Sequence, residues 1–294
     1  MFRYTYHTVD VFTDRRFGGN PLAVFPDAAG LELRTMQALA AELNYSETSF
    51  VLPPDDPANT ARVRIFNRTS EMAFAGHPNV GTAFVLARLG RIAAAPIRFE
   101  ELAGMVEVRL RGAGATASGA EIDAPQPLQL FGELPAPEIA ACLSLEQDQV
   151  LLDAHPPVRA TMGIEFVLVE LTPEGLARAA PDLTSYRHLV STAELGGRLS
   201  TFLYTKAEAN GVRARMFAPL AGTWEDPATG SANAALAALR LSLSGEDELA
   251  YEAVQGVEMG RESHLSLKAR RTSDGIRASV AGDCVSVFTG AIDL

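Results

Sequence analysis

The stretch that decides the fold is Asp226–Asn233, with the sequence DPATGSAN, together with the run Ala234–Leu241 behind it. This run is rich in alanine and leucine on nearly every side, so it predicts a helix whose body is buried. The start of the helix is different, because a polar turn with Pro227 and Gly230 carries an acid and a hydroxyl group. A helix start offers unpaired N–H groups and a partial positive charge. We therefore expect an anionic ligand or a developing oxyanion to be stabilised there.

A similar pattern occurs earlier in the chain, at His77–Ala83, with the sequence HPNVGTA. It matches Asp226–Ala232 as [His/Asp]-Pro-x-x-Gly-[Ser/Thr]-Ala at an offset of 149 residues, and residues 84–89 continue it as a second apolar helix. Upstream, Arg62–Phe66 matches Arg213–Phe217 at an offset of 151 residues. Turns with Pro-x-x-Gly before alanine-rich helices are common by themselves. Two blocks in the same order at nearly the same offset favour an internal duplication instead.

Length and composition limit the class of protein. The 294 residues are enough for two domains of ordinary size, and 47% hydrophobic with 21% charged residues is typical of a folded chain. The net charge of −11, without a compensating basic run, argues against a nucleic-acid partner. The N-terminus has no apolar leader region and no apolar run reaches the length of a membrane span, so we expect a cytoplasmic protein with no membrane partner.

The two cysteines, Cys142 and Cys284, lie in unrelated contexts without metal-ligand or redox spacing. This placement favours buried free thiols and gives no candidate metal site.

Local patterns predict a β-rich shell around each apolar helix. Residues 8–12 and 20–25 read as strands, residues 31–44 as a helix, and residues 45–52 as a strand that puts Glu47 at a helix-to-strand junction. Residues 199–204 resemble residues 48–52, so Glu47 corresponds roughly to Leu199 and the acid exists in one half only. Residues 150–153 read as a further strand, and the proline-rich segment 122–137 as the crossing between halves. We therefore predict an α+β fold with an N-terminal half of residues 1–120, completed by the last strand at about 283–294, and a C-terminal half of residues 121–282.

Five motifs in a fixed order identify a resemblance. They are Gly19–Val24 (GNPLAV), Ser46–Val51 (SETSFV), Phe74–Pro78 (FAGHP), Glu225–Ala232 (EDPATGSA) and Gln255–Arg261 (QGVEMGR). Over nearly the full chain they resemble the phenazine biosynthesis isomerase-like family. The resemblance implies the diaminopimelate epimerase-like fold, in which two pseudo-symmetric halves each wrap strands round a central helix and the active site lies between them. It also leads us to expect a homodimer.

The resemblance further implies a reaction. The characterised enzyme of the family isomerises trans-2,3-dihydro-3-hydroxyanthranilate without a cofactor, by moving a proton from C3 to C1 of the ring. The implied catalytic residues are Glu47 as the proton carrier, His77, Asp226 and Ser231, and the implied substrate-binding residues are Asn20, Gly76 and Gly230. A carboxylate can act first as base and then as acid, and glycines let backbone amides approach a substrate closely. We therefore expect a small anionic carboxylate as the substrate.

Other interpretations remain open from the residues themselves. Glu47 could be a solvated edge charge, Asp226 and Ser231 could be helix caps, and His77 a structural hydrogen-bonding group. At the level of function, the alternatives are an epimerase or racemase of an amino-acid-like substrate and a catalytically idle binding protein. A two-thiol racemase needs cysteines at the helix starts, where His77 and Asp226 stand instead.

Overall fold

A computed structural model describes residues 2–92, 96–193 and 195–294. The chain divides into two compact units, Met1–Asp123 with Ala281–Leu294, and Ala124–Val280. Both units combine strands and helices, which makes the fold α+β. Among the described residues, none of the helices has both the length and the apolar character that crossing a membrane requires.

In its described residues, the first unit contains eight complete strands and two α-helices. The strands are β1 (Arg3–Val11), β2 (Asn20–Phe25), β3 (Glu47–Leu52), β4 (Ala61–Asn67), β5 (Glu71–Met72), β6 (Ile97–Glu101), β7 (Gly104–Arg111) and β8 (Gly119–Asp123). The helices are α1 (Leu33–Leu43) and α2 (Gly76–Arg88). Helix α1 ends because Asn44 adopts a left-handed conformation, with φ of 56°, that asparagine tolerates.

Over the part of the second unit that the structure describes, there are eight complete strands and four α-helices. The strands are β9 (Gln129–Glu133), β10 (Val158–Thr161), β11 (Glu165–Glu170), β12 (Thr201–Lys206), β13 (Val212–Ala218), β14 (Thr223–Asp226), β15 (Glu248–Gln255) and β16 (Ser263–Thr272). The helices are α3 (Ala136–Cys142), α4 (Pro173–Arg178), α5 (Leu183–Thr192) and α6 (Gly230–Leu243). A last strand, β17 (Gly275–Asp293), begins in the second unit and ends in the first.

In the first unit the strands close around helix α2. Pairing runs from β1 through β2, β3, β4, β6, β7 and β8 to the last part of β17, which pairs again with β1. Helix α2 packs against β1, β2, β3, β7 and β8, and twelve of its thirteen residues are buried. A helix that is apolar all round is stable only in such a place, so the predicted buried helix is confirmed.

The second unit repeats this arrangement around α6, ten of whose fourteen residues are buried. The element order β11, β12, β13, β14, α6, β15, β16 matches β2, β3, β4, β5, α2, β6, β7. The directions match as well, since β2–β3 and β11–β12 are parallel, β3–β4 and β12–β13 antiparallel, and β4–β6 and β13–β15 parallel. Each half is thus a β shell around a central buried helix.

The repeat has a different register at the helices from the one that the sequence pattern indicated. Helix α2 begins at Gly76 and α6 at Gly230, so the matching residues at the helix starts stand 154 positions apart, not 149. His77 therefore corresponds to Ser231, and Gly81 lies inside α2. The offset is larger than that of Arg64 and Arg215 because the second unit inserts a short 3-10 turn between β13 and β14.

The strand register also refines the partner of Glu47. Phe50 lies opposite Arg64, and Leu203 lies opposite Arg215, so Ser200 and not Leu199 takes the place of Glu47 in the second unit. The difference is one residue, and the acid is still confined to one half.

Three segments differ from the predicted secondary structure. The proline-rich segment 122–137 is not a bare crossing, because it contains the end of β8, all of β9 and the start of α3. Residues 150–153 are not a strand, since they contribute one isolated bridge, from Val150 to Leu171. Helix α5 was not predicted, because its buried side chains are only Tyr186 and Leu189 and most of its other residues are polar.

Gly81 allows the close approach of α2 to the strands that surround it. A Cβ atom there would lie 2.6 Å from a methyl carbon of Leu22 and 2.9 Å from one of Val11. We expect Gly81→Ala to lower the free energy of unfolding by about 1–2 kcal/mol, because overpacking outweighs the gain of roughly 1 kcal/mol in helix propensity. Denaturant unfolding measures this. Gly245→Ala is the control, since that Cβ would meet no atom within 4 Å, and equal losses in the two variants would contradict the packing argument.

Candidate active site

Glu47 is the first residue of β3, directly after the loop that follows α1. It lies beside Leu22 of the parallel strand β2 and opposite Asn67 of β4. Its side chain is 16% exposed, so Glu47 keeps a small contact with solvent. This position fits neither a freely solvated edge charge nor a sealed core residue.

His77, the second residue of α2, contacts Glu47. Its Nε2 atom lies 3.4 Å from Oε2 of Glu47, and its side chain is 7% exposed. Burial lowers the pKa of His77 to about 3, so the imidazole is neutral near pH 7. Within the described part of the chain Nε2 makes no hydrogen bond, which leaves that atom for a ligand or for a small movement of the Glu47 carboxylate.

Asn20 connects the start of β2 to the residue before Glu47. It is fully buried, and its Oδ1 atom accepts a hydrogen bond of 2.9 Å from the hydroxyl group of Ser46. The structure thus gives Asn20 a positioning contact next to Glu47, whereas its predicted contact with substrate stays a prediction.

Gly76 begins α2, and the residue before it, Ala75, has no side chain that could cap the helix. The Asn79 side chain donates instead to the carbonyl oxygen of Ala75, at 3.0 Å. The first N–H groups of α2 are therefore not capped by a side chain at Ala75. His77 belongs to the same turn. Such groups favour an anion.

In the second unit, Asp226 ends β14 and is buried. The Thr229 hydroxyl group donates to its Oδ2 atom at 2.5 Å, and the Gln255 side chain donates to its main-chain oxygen at 2.8 Å. Thr229 precedes α6, but its side chain does not cap that helix because it serves Asp226. Gly230 and Ser231 then form the first turn of α6, with Ser231 only partly buried.

Gln255, the last residue of β15, organises this turn and is fully buried. Its Oε1 atom accepts from the main-chain N–H of Thr229 at 3.0 Å and from the Asn233 side chain at 2.9 Å. Its Nε2 atom also donates to the Thr229 hydroxyl group, at 3.0 Å. The next residue, Gly256, has φ of 76°, and a Cβ atom there would lie 2.6 Å from the main-chain oxygen of Pro227.

Thr229 and Gln255 are further functional candidates. Both lie in the motifs quoted above, Gln255 in the motif at residues 255–261, but the sequence alone assigned neither of them a role. Gln255, a buried glutamine directly before a glycine of positive φ, is the residue whose hydrogen bonds hold this turn.

The structure brings Glu47, His77 and Gly76 together in the first unit, with Asn20 reaching the adjacent Ser46. It brings Asp226, Gly230 and Ser231 together in the second unit. That both groups act on one substrate stays a prediction. In the described residues, no cluster of three or more His, Cys, Asp or Glu side chains is arranged to hold a metal ion.

Known proteins match this chain over its length. A family model described as "Phenazine biosynthesis-like protein" matches residues 9–290. An uncharacterized isomerase of Mesorhizobium japonicum is 36% identical, with 98% of each chain covered. The trans-2,3-dihydro-3-hydroxyanthranilate isomerase of Pseudomonas chlororaphis is 32% identical, over 98% of this chain and 99% of the relative.

Solved structures show the same fold. A phenazine biosynthesis protein of Bacillus anthracis matches with a TM-score of 0.88 and 23% identity over the whole of both chains. A hydroxyproline epimerase of Agrobacterium vitis matches with a TM-score of 0.67 and 13% identity, over 99% of this chain and 93% of that one. These likenesses confirm the predicted diaminopimelate epimerase-like fold.

The relatives named above are isomerases, which confirms the predicted enzyme class. With a family match from residue 9 to residue 290 and relatives above 30% identity along the whole chain, this protein belongs to the phenazine biosynthesis-like protein family.

Proposed function

We propose that this isomerase moves a proton between two carbons of a small carboxylate substrate without a cofactor, and that Glu47 carries the proton. The observation that supports this most is the contact of 3.4 Å between the carboxylate of Glu47 and the neutral imidazole of His77, at the start of a buried helix.

Carbon-to-carbon proton transfer needs one group that is first a base and then an acid. A carboxylate at the edge of a buried region suits this role, because it can gain and lose a proton while the surrounding dipoles stay fixed. The neutrality of His77 helps, since an imidazolium ion at 3.4 Å would hold Glu47 in its charged form and weaken it as a base. A neutral imidazole can instead donate or accept one hydrogen bond at Nε2.

The start of α2 suits the negative group of the substrate. Gly76 has no Cβ atom to keep a ligand away from the first main-chain N–H groups, and Ala75 provides no cap that would compete with a ligand. The substrate carboxylate would bind there and place the carbon to be deprotonated near Glu47. The net charge of −11 does not oppose this, because the attraction of a helix start acts over a short range.

Asp226, Ser231 and Gly230 are proposed as further contacts to the substrate from the second unit. Thr229 and Gln255 hold Asp226 in one conformation, which is how a residue that must meet a ligand is normally prepared. The assignment of these three residues rests on the family resemblance and is weaker than that of Glu47.

The name of the Pseudomonas chlororaphis relative makes trans-2,3-dihydro-3-hydroxyanthranilate the first substrate to test. An epimerase of an amino-acid-like substrate is the second candidate, and the hydroxyproline epimerase shares the fold. A two-thiol version of that reaction is opposed by the two cysteines. Both are buried, and burial raises the pKa of Cys142 to about 12 and that of Cys284 further, so neither supplies a thiolate at neutral pH.

Removing the base should affect rate more than binding. Glu47→Gln keeps the shape of the side chain but cannot take a proton, so we expect turnover to fall by roughly a hundredfold to ten-thousandfold with KM little changed. The measurement is isomerisation of trans-2,3-dihydro-3-hydroxyanthranilate in deuterated water, with the exchange of carbon-bound hydrogen followed by NMR. Glu42→Gln on the exposed side of α1 is the control. Full activity of Glu47→Gln would contradict the proposal.

The thiols should be dispensable for the chemistry. We expect Cys142→Ser and Cys284→Ser to retain kcat within a factor of about two once stability is taken into account, because neither thiol ionises near pH 7. Circular dichroism checks that each variant is folded before its rate is measured. Loss of activity in a folded Cys142→Ser protein would favour the thiol mechanism.

The pH profile of kcat/KM should contain no limb from His77 between pH 5 and 8. Its pKa of about 3 keeps the ring neutral across that range, so acid inactivation there comes from carboxylate protonation. We expect His77→Asn to lower the rate while leaving the profile unchanged in this range. A limb near pH 6.5 that disappears in His77→Asn would show that the ring titrates during turnover.

A further inference from the structure

Glu101 is a half-buried acid that the proposed reaction does not use. It is the last residue of β6 and lies on the same face of the strand as the buried residues Ile97 and Phe99. Both carboxyl oxygens are shielded from solvent, and neither makes a hydrogen bond within the described residues. An unpaired buried carboxylate is among the most costly groups that a folded protein can hold, so its retention needs a reason.

The internal repeat indicates what occupies the same position in the second unit. Arg62 lies beside Glu100 in the parallel pair β4–β6, and Arg213 lies beside Val254 in the parallel pair β13–β15. Each next residue, Glu101 in one unit and Gln255 in the other, therefore holds the same place in the repeat. The helix starts agree with this, because Gly76 and Gly230 differ by the same 154 positions as Glu101 and Gln255.

The partners of Gln255 have counterparts near Glu101. Gln255 accepts a hydrogen bond from the Asn233 side chain, which also donates to the main-chain oxygen of Thr229. In the first unit Asn79 takes the place of Asn233 and donates in the same way to Ala75. Asn79 is also the side chain whose hydrogen-bonding effect lowers the pKa of the Glu101 carboxyl group.

The protonation state of the Glu101 carboxyl group decides whether it can form the same kinds of hydrogen bond as a glutamine side chain. An ionised carboxylate only accepts hydrogen bonds, whereas a protonated one has a donor and an acceptor and so resembles a carboxamide. The Oδ1 atom of Asn79 is itself a buried acceptor without a hydrogen bond among the described residues. A proton on Glu101 would supply a hydrogen-bond donor for the Oδ1 atom of Asn79.

We propose that Glu101 acts in its protonated form as the counterpart of Gln255, holding Asn79 and the first turn of α2 and so positioning His77. It is a positioning residue, since it has no contact with the reacting atoms. The inference stands apart from the proposed reaction, because its test needs no substrate.

The surroundings of Glu101 support the protonated form. Burial raises the pKa of Glu101 to about 8, against a smaller lowering by Asn79. Among the described residues, Asn79 on α2 and Gly104 on β7 lie against it, and neither is charged, while Arg62 of β4 lies beside Glu100. His77 on the same turn of α2 is neutral near pH 7 as well.

The sign of the pH dependence follows from these values. The pKa is about 4.5 in the unfolded chain and about 8 in the folded one, so folding takes up a proton between these pH values. The stability that protonation supplies is therefore complete below pH 4.5 and is lost as the pH rises toward 8. Gln at this position does not titrate and should not show that loss.

The test compares Glu101→Gln with the wild-type protein from pH 4.5 to pH 9. We expect the Tm of the variant minus that of the wild type to grow with pH, by at least about 3 °C between pH 4.5 and pH 8.5. Glu42→Gln, which makes the same charge change on the surface, should show no such trend. The mirror variant Gln255→Glu should become less stable than the wild type as the pH rises. A Tm difference between Glu101→Gln and the wild type that does not depend on pH would overturn the inference.

The NMR signals of the His77 ring distinguish a positioning role of Glu101 from the mere burial of its charge. The ring signals of His77, assigned by their loss in His77→Asn, should shift in the wild-type protein with a midpoint near pH 8 and stay constant in Glu101→Gln. Glu101→Leu is the matched variant, since it also removes the charge but can neither donate nor accept a hydrogen bond. We expect it to change the His77 signals at every pH. Identical His77 signals in the Gln and Leu variants would show that Glu101 does not position the turn.

Discussion

A helix buried along almost its whole length must satisfy the polar groups of its first turn without water, and this constraint shapes both halves of the protein. Four N–H groups at a helix start have no partner within the helix, and leaving such groups unpaired in a core costs about 1–3 kcal/mol each. Here α2 and α6 are buried through most of their residues, including their first turns. Each helix start must therefore be closed by neighbouring side chains or left open to a ligand.

The two units share one side-chain contact at the helix start and differ in the others. Asn79 and Asn233 each donate to the carbonyl oxygen four residues before them, at 3.0 Å. Beyond this the halves diverge, because the second unit ties its turn to Asp226 through Thr229 and Gln255. The first unit has Ala75 at the position of Thr229 and lacks that hydroxyl group. Within the described residues, the half that carries His77 and Glu47 thus lacks the hydroxyl contact that the other half has at its helix start, as expected where a ligand completes the set.

The sequence was sufficient for the features that depend on burial and repetition. The all-round apolar character of residues 84–89 and 234–241 predicted two central helices, and the repeated blocks predicted two similar halves. The sequence did not predict the register of the repeat at the helices. The reason is that Pro-x-x-Gly occurs at two different places relative to the helix starts, inside α2 and before α6. Three extra residues between β13 and α6 are invisible to a pattern search but shift every residue that follows. The correspondence between Glu101 and Gln255 in the repeat depends on that shift, so it follows from strand register and not from sequence similarity.

The distribution of charge around the start of α2 connects the fold to the chemistry. Among the described residues near this turn, His77, Glu101 and Glu47 are ionisable, and their side chains differ in access to solvent. Burial holds His77 neutral near pH 7 and raises the pKa of Glu101 to about 8, so both lose charge for the same physical reason, although one is a base and the other an acid. Glu47, with 16% of its side chain exposed, is the member of the set that still meets water. A proton carrier benefits from neutral neighbours, because neither an imidazolium ion nor a second carboxylate then biases the carrier toward one of its two protonation states.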